Sequence, residues 1–211
     1  MKTMLYLATT AQELAQFPHP GRIAYMACHF SPYGPGLTDL PDSLPDDAMV
    51  ILNDRIPFLR HDCNLIASQL ASLPCESILL DIENMNTEDA KELVNAIISA
   101  ANVPVGVSAK YAWDHPCAVF LPACEADQNP FASSKNWSGR EIWLDLSPGC
   151  VYCRVTAQGC NRTKEPFPPR AGMHHDRKLF CHYSIELRDA EAIFYLHREW
   201  DDACGIVEEG K

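Results

Sequence analysis

Between residues 49 and 109, short apolar runs alternate with amphipathic stretches, and no other feature constrains the fold as tightly. Met49-Val-Ile-Leu-Asn-Asp54 has no polar alternation, the pattern of a strand covered on both faces. Asp62 stands as a helix cap before a segment that places Leu65, Ile66, Leu70 and Leu73 on one face. Ser77-Ile-Leu-Leu-Asp-Ile-Glu83 is a second buried strand. Thr87 is the expected cap of the next helix, with Glu88 and Asp89 favourable in its first turn. The stripe of that helix is Ala90, Leu93, Val94, Ile97, Ile98 and Ala101. Asn102 and Pro104 end it, and a strand follows over 105–109. Strand, helix, strand, helix, strand is the signature of a parallel sheet with crossover helices.

Outside that stretch the pattern is less regular. Thr10 and Glu13 form a capping box for a helix over 10–17, ended by Pro18 and Pro20. Residues 22–28 read as another buried strand. The Pro-, Gly- and Asp-rich segment 31–47 is long for a loop within a compact domain. Further strands are expected over 118–123 and 141–146, with 110–117 between strands too short for a crossover helix. Residues 151–156, 179–187 and 192–197 read as an antiparallel meander, with a hairpin at 188–191 and a terminal helix from about Glu199.

The 211 residues are taken as a single domain. A complete eight-fold barrel typically needs about 250 residues. With four clear helices, the expected fold class is α/β: a small or irregular (β/α) barrel, TIM-barrel-like, with helices missing in its second half and the antiparallel C-terminal meander. An open α/β sheet is the alternative.

Charge narrows the partners. Asp and Glu number 28 against 17 Lys and Arg, a net charge of −11, with no compensating basic cluster. Nucleic-acid affinity is built largely on phosphate neutralisation, so no nucleic-acid partner is expected, nor an anionic membrane surface. No apolar run is long enough for a membrane span. The apolar run near the N-terminus is too short for a signal peptide. Ten cysteines, mostly within apolar segments, read as buried thiols of a cytoplasmic protein. The expected partner is a small-molecule or carbohydrate ligand. No cofactor is expected.

Several strands end in acids: Asp54, the pair Asp81 and Glu83, Glu125 and Asp145. In parallel α/β architectures the site lies at the carboxyl ends of the strands. Asp81 and Glu83 are two apart, and strand residues two apart share a face. Neighbouring carboxylates disfavour each other's ionisation, which supplies a general acid. An acid and an assisting carboxylate are what glycoside cleavage uses.

The segment Cys75-Glu-Ser-Ile-Leu-Leu-Asp-Ile-Glu83 resembles the strand motif of the chitinase-like family 18 glycoside hydrolases, a TIM-barrel family. The resemblance puts Glu83 on that family's general acid and Asp81 on the residue that orients the substrate acetamide. Leu79 stands where the first Asp of the core motif would be, Glu76 replaces the outer Asp, and Ile82 replaces an aromatic residue. The expected function is acid-assisted glycosidic cleavage, with Glu83 as proton donor and Asp81 as its partner. Asp54, Glu125 and Asp145 would line the site, and Tyr111 and Trp113 would offer stacking faces to a sugar. A glycosidase-like barrel that only binds a sugar or small ligand, or serves as scaffold, is the alternative.

Two other groupings carry ligand or nucleophile residue types. Cys150-x-x-Cys153, Cys160, His174, His175, Cys181 and His182 are zinc-ligand types, but residues three apart on a strand face opposite sides. Zinc binding there is the second alternative, and no metal ligand is assigned. Cys28 and His29 follow a buried strand, but adjacent strand side chains diverge, which argues against a thiol nucleophile.

Overall fold

A computed structural model describes residues 2–8, 23–122, 137, 139–145 and 192–197. The strands are β1 (Lys2–Ala8), β2 (Ile23–Phe30), β3 (Leu37–Thr38), β4 (Met49–Asn53), β5 (Ser77–Asp81), β6 (Val105–Ser108), β7 (Ala118–Pro122), β8 (Ile142–Asp145) and β9 (Ala192–His197). Two α-helices lie among the described residues, α1 (Cys63–Ala71) and α2 (Thr87–Ala100). Contacts divide the chain into two compact units, Leu7–Phe120, and Met1–Tyr6 with Leu121–Lys211.

In the first unit the strand order is β3-β2-β4-β5-β6-β7. From β2 onward, spatial order follows chain order, and each neighbouring pair is parallel. A doubly wound sheet would reverse its order at a switch point. This row has no reversal. Right-handed crossovers then put successive helices on one face, and α1 and α2 indeed pack on each other. In the second unit β9 lies between β8 and β1 and is parallel to both. The fold is thus α/β and largely parallel, with β3 antiparallel to β2. It is TIM-barrel-like but irregular, with two α-helices among the described residues.

Local chemistry explains the elements. Val50, Leu52, Ile78, Leu80 and Val107 are fully buried, as two-sided coverage requires. Each large aliphatic chain buried in this way contributes about 1.5–3 kcal/mol. Asp62 caps α1 as expected, accepting from the Asn64 and Leu65 amides. The buried face of α1 is Cys63, Ile66, Ala67 and Leu70, not the stripe through Leu65 and Leu73. Leu65 is 39 % exposed, because the i, i+3, i+4, i+7 row starting at Cys63 is the buried one. The cap of α2 is Asn86 rather than Thr87: its side chain accepts from the Glu88 and Asp89 amides, one position earlier than expected. Its buried stripe is Ala90, Leu93, Val94 and Ile97.

Two connections depart from the helical crossover. The long segment after β2 is pinned by β3, which pairs antiparallel with β2, and by bonds from Asp62 N–H to the Pro35 carbonyl (2.8 Å) and from Leu37 N–H to Gln69 Oε1 (2.8 Å). Gly36 lies so close to α1 that a Cβ there would fall 2.5 Å from Gln69 Oε1. Between β6 and β7 the chain makes only a 3-10 turn, Ala109–Tyr111, before a parallel strand. β9 forms where expected but is parallel to both neighbours, which corrects the antiparallel reading for that strand. Its unbroken Ala-Ile-Phe-Tyr-Leu run suits a central parallel strand better than a hairpin arm. The rest of the expected meander (151–156, 179–187) and the expected helices over 10–17 and from Glu199 lie outside the described residues.

Candidate functional site

Because β2, β4, β5, β6 and β7 all run the same way, their carboxyl ends share one edge of the first unit. Asp54 follows β4 at this edge, Asp81 ends β5, and Glu83 lies two residues beyond. Tyr111 and Trp113 follow β6.

Asp54 is an anchor. It is 7 % exposed. Its carboxylate accepts from the backbone N–H groups of Glu83 (3.1 Å), Asn84 (2.6 Å) and Met85 (2.8 Å), and from Asn84 Nδ2 (3.1 Å). The carbonyl side of the same bend is held by Tyr111, which is 5 % exposed. Its hydroxyl donates to the Met85 carbonyl, and the Glu83 carbonyl is 3.4 Å away. Lys110 Nζ lies 4.8 Å from the Tyr111 ring centroid. Asp54 and Tyr111 therefore hold the chain at 83–85.

These anchors also end β5. The Ile82 amide donates to Ser108 Oγ (3.0 Å), whose hydroxyl donates to the Leu80 carbonyl (3.0 Å). The next three amides go to Asp54. The strand consequently stops at Asp81, and the alternation expected to aim Asp81 and Glu83 at one face stops between them. Asp81 is half-buried, and Glu83 is exposed in the bend. Trp113 is half exposed at the same edge. Asp145 ends β8, in the other unit, opposite Phe194 of β9. Glu125 and the Cys/His set from Cys150 to His182 lie outside the described residues. Among the described residues no cluster of three or more His, Cys, Asp or Glu is arranged to hold a metal ion.

Two residues join this edge that strand-end acidity did not signal. Asn53 faces Asp81 in register across β4 and β5, and His29 faces Asn53 across β2 and β4. In-register side chains on parallel neighbours project to the same face, at a spacing of about 4.8 Å. Asn53 is 3 % exposed. Its Oδ1 accepts from the Arg55 amide (3.0 Å), while Nδ2 is buried without a partner. His29 Nδ1 is likewise buried without a partner.

A bulge in β2 makes this row. Two residues separate Tyr25 from Cys28 on β2, and one separates their partners Val50 and Leu52 on β4. Without the extra residue, Asn53 would face Cys28. β-bulges concentrate where a side chain must be re-aimed, often at functional sites. The Cys28 thiol itself is fully buried, and burial pushes it up to about 12, with Asp39 and Cys75 adding to the effect. It is no nucleophile.

Beside this edge Phe30, Phe58 and His61 form an aromatic cluster, with His61 stacked on Phe58 at 5.0 Å. No known protein family, curated protein or solved structure matches the chain. No helix among the described residues is long and apolar enough to cross a membrane.

Proposed function

We propose that the chain is a carbohydrate-active, glycoside hydrolase-like protein of the cytoplasm that works at the carboxyl edge of β4 and β5. The carrying observation is the placement of Asp81 and Glu83. One carboxylate ends β5 and is half-buried, and the other is exposed two residues on, in a bend fastened by Asp54 and Tyr111. A fastened bend holds an acid in place while a ligand reacts, which is what general acid catalysis asks of its proton donor. Glu83 is the donor in this reading, Asp81 its partner, and Trp113 an apolar face for a sugar ring. The free thiols of Cys28, Cys63 and Cys75 suit a reducing compartment.

A second reading, ligand binding without turnover, is favoured by one residue. Leu79, where the resembling family carries an Asp, is 1 % exposed within the packed sheet and offers no polar group.

A screen with chromogenic glycosides separates the two. Under the first reading one substrate is turned over, and Glu83→Gln lowers that rate by roughly a hundredfold or more. A rate unchanged by Glu83→Gln removes Glu83 from the mechanism. Binding of a sugar without turnover leaves the second reading.

A further inference from the structure

We propose that the groove between α1 and α2 is a docking site for a basic helix of a partner protein. The two helices build this groove, not the strand ends, so the inference stands apart from the glycosidic reading.

The first argument is room. α1 and α2 pack on each other, and the cleft along them has a volume of about 740 Å³. Its buried and half-buried lining is Cys63, Ala67, Ala71, Ala96 and Ala100, and Asn64, Ser68, Glu92 and Ser99 line it from exposed positions. The lining holds no aromatic side chain and no aliphatic one larger than alanine. The distance between packed helices depends on the side chains at the contact, and alanine and serine let a third helix approach to about 8 Å. From residue 64 to residue 72 the groove follows α1 for about 12 Å, room for two turns of a partner. A single ion or short amine would leave most of that volume to water, whereas one ridge of long side chains would fill it.

The second argument is charge. Glu92 is the one charged residue in the lining. α1 contains no Lys or Arg, and the one cation of α2, Lys91, is outside the lining and 3.9 Å from Asp114. Asp62 and Asp89 lie near the Cys63 end. Burial pushes the Cys63 thiol up to about 11, and the charges of Glu92, Asp62 and Asp89 add to the effect. At the other end, the last turns of both helices reach the lining, and neither carries a basic residue. Helix C-termini bear partial negative charge, which a cation complements. The groove is thus negative at both ends, with methyl groups between them. Arg and Lys suit it, because their apolar stems lie along methyl groups while their heads reach polar ones. A helix that places them at i, i+4 and i+7 presents such a ridge to a groove.

The test uses the full chain and three amidated, alanine-based helical peptides that carry Arg, Gln or Glu at i, i+4 and i+7 of one face. NMR follows the backbone amides of Ala67, Ala71, Ala96 and Ala100. The expected result is that the Arg peptide shifts these amides saturably, more weakly as salt rises, and that the Glu peptide shifts none. Glu92→Lys should weaken the Arg peptide roughly tenfold. Ser99→Trp, which fills the groove from an exposed position, should abolish its binding. An Arg peptide that does not bind, that shifts only residues outside the two helices, or that binds Glu92→Lys equally well overturns the docking site. Gln or Glu peptides as tight as the Arg peptide overturn the basic partner. Spermidine giving the same shifts at the Arg peptide's affinity assigns the groove to free polyamines and overturns the helical occupant. Shifts at the same alanines that grow with protein concentration, without peptide, assign it to a second copy of the chain and overturn it likewise.

Discussion

At the scale of single residues, Asp54 shows how an acid at a strand end can be structural and still govern a site. Four N–H donors from 83–85 converge on its carboxylate, and Met85, the last of them, is buried. Asp54→Ala would strand these donors, so a loss of about 3 kcal/mol is expected in urea denaturation, and Asp54→Asn should lose less. The sequence identified Asp54 as a strand-end acid but not its task, because a carboxylate that binds a ligand and one that binds a bend have the same local pattern. His29 and Asn53 were hidden for a related reason: their pairing depends on register and a bulge. A polar residue ending an apolar run on each of two neighbouring strands was the available signal. Cys28 and Tyr25 give a residue-scale prediction on pH. Burial pushes both up to about 12; for Tyr25 the charges of Cys28 and Asp39 add to it, while its hydroxyl donates to the Asp39 carbonyl (2.9 Å). A folded value raised above the unfolded one favours the native state fully at lower pH, and that contribution is lost as pH rises. Stability should therefore fall between about pH 9 and 12, and Cys28→Val should flatten the fall in denaturation curves taken across that range.

Among the elements, long periodic segments were the most legible. The stripe Ala90, Leu93, Val94 and Ile97 was plain in sequence because a helix buries one face wherever it docks. Caps were harder. Asn86 and Thr87 are both capping residues, and only backbone geometry decides between them. Asn86→Ala should cost about 1 kcal/mol, and Thr87→Ala, one position inside the helix, much less; thermal unfolding of the two variants checks this. The end of β5 was harder still. Nothing in Asp81-Ile-Glu83 says that the Ile82 amide will leave the ladder for Ser108, a residue distant in sequence. For strand direction, the reading of β9 as a hairpin arm followed from the apparent turn before it, whereas its apolar continuity pointed to parallel neighbours on both sides. Ile193 sits between Lys2 of β1 and Leu144 of β8. Ile193→Pro removes a ladder N–H from a central strand, and hydrogen exchange should show lost amide protection in β1 or β8, with a destabilisation of roughly 3 kcal/mol.

At the level of the whole molecule, alternating strands and helices in 49–109 were enough to expect parallel neighbours in chain order, because local crossovers leave few other arrangements. Pairing between β1 and β9 was not legible, since no local pattern names a partner so remote. That pairing bears on how the protein is made. Lys2 meets Ile193, so the β1 edge covered by β9 must wait for about 190 residues of synthesis. At roughly 5–20 residues per second the delay is on the order of 10–40 s. Over that interval a nascent strand with an open edge is exposed to the crowded exit of the ribosome, and a chaperone able to shield it would raise the yield of native protein.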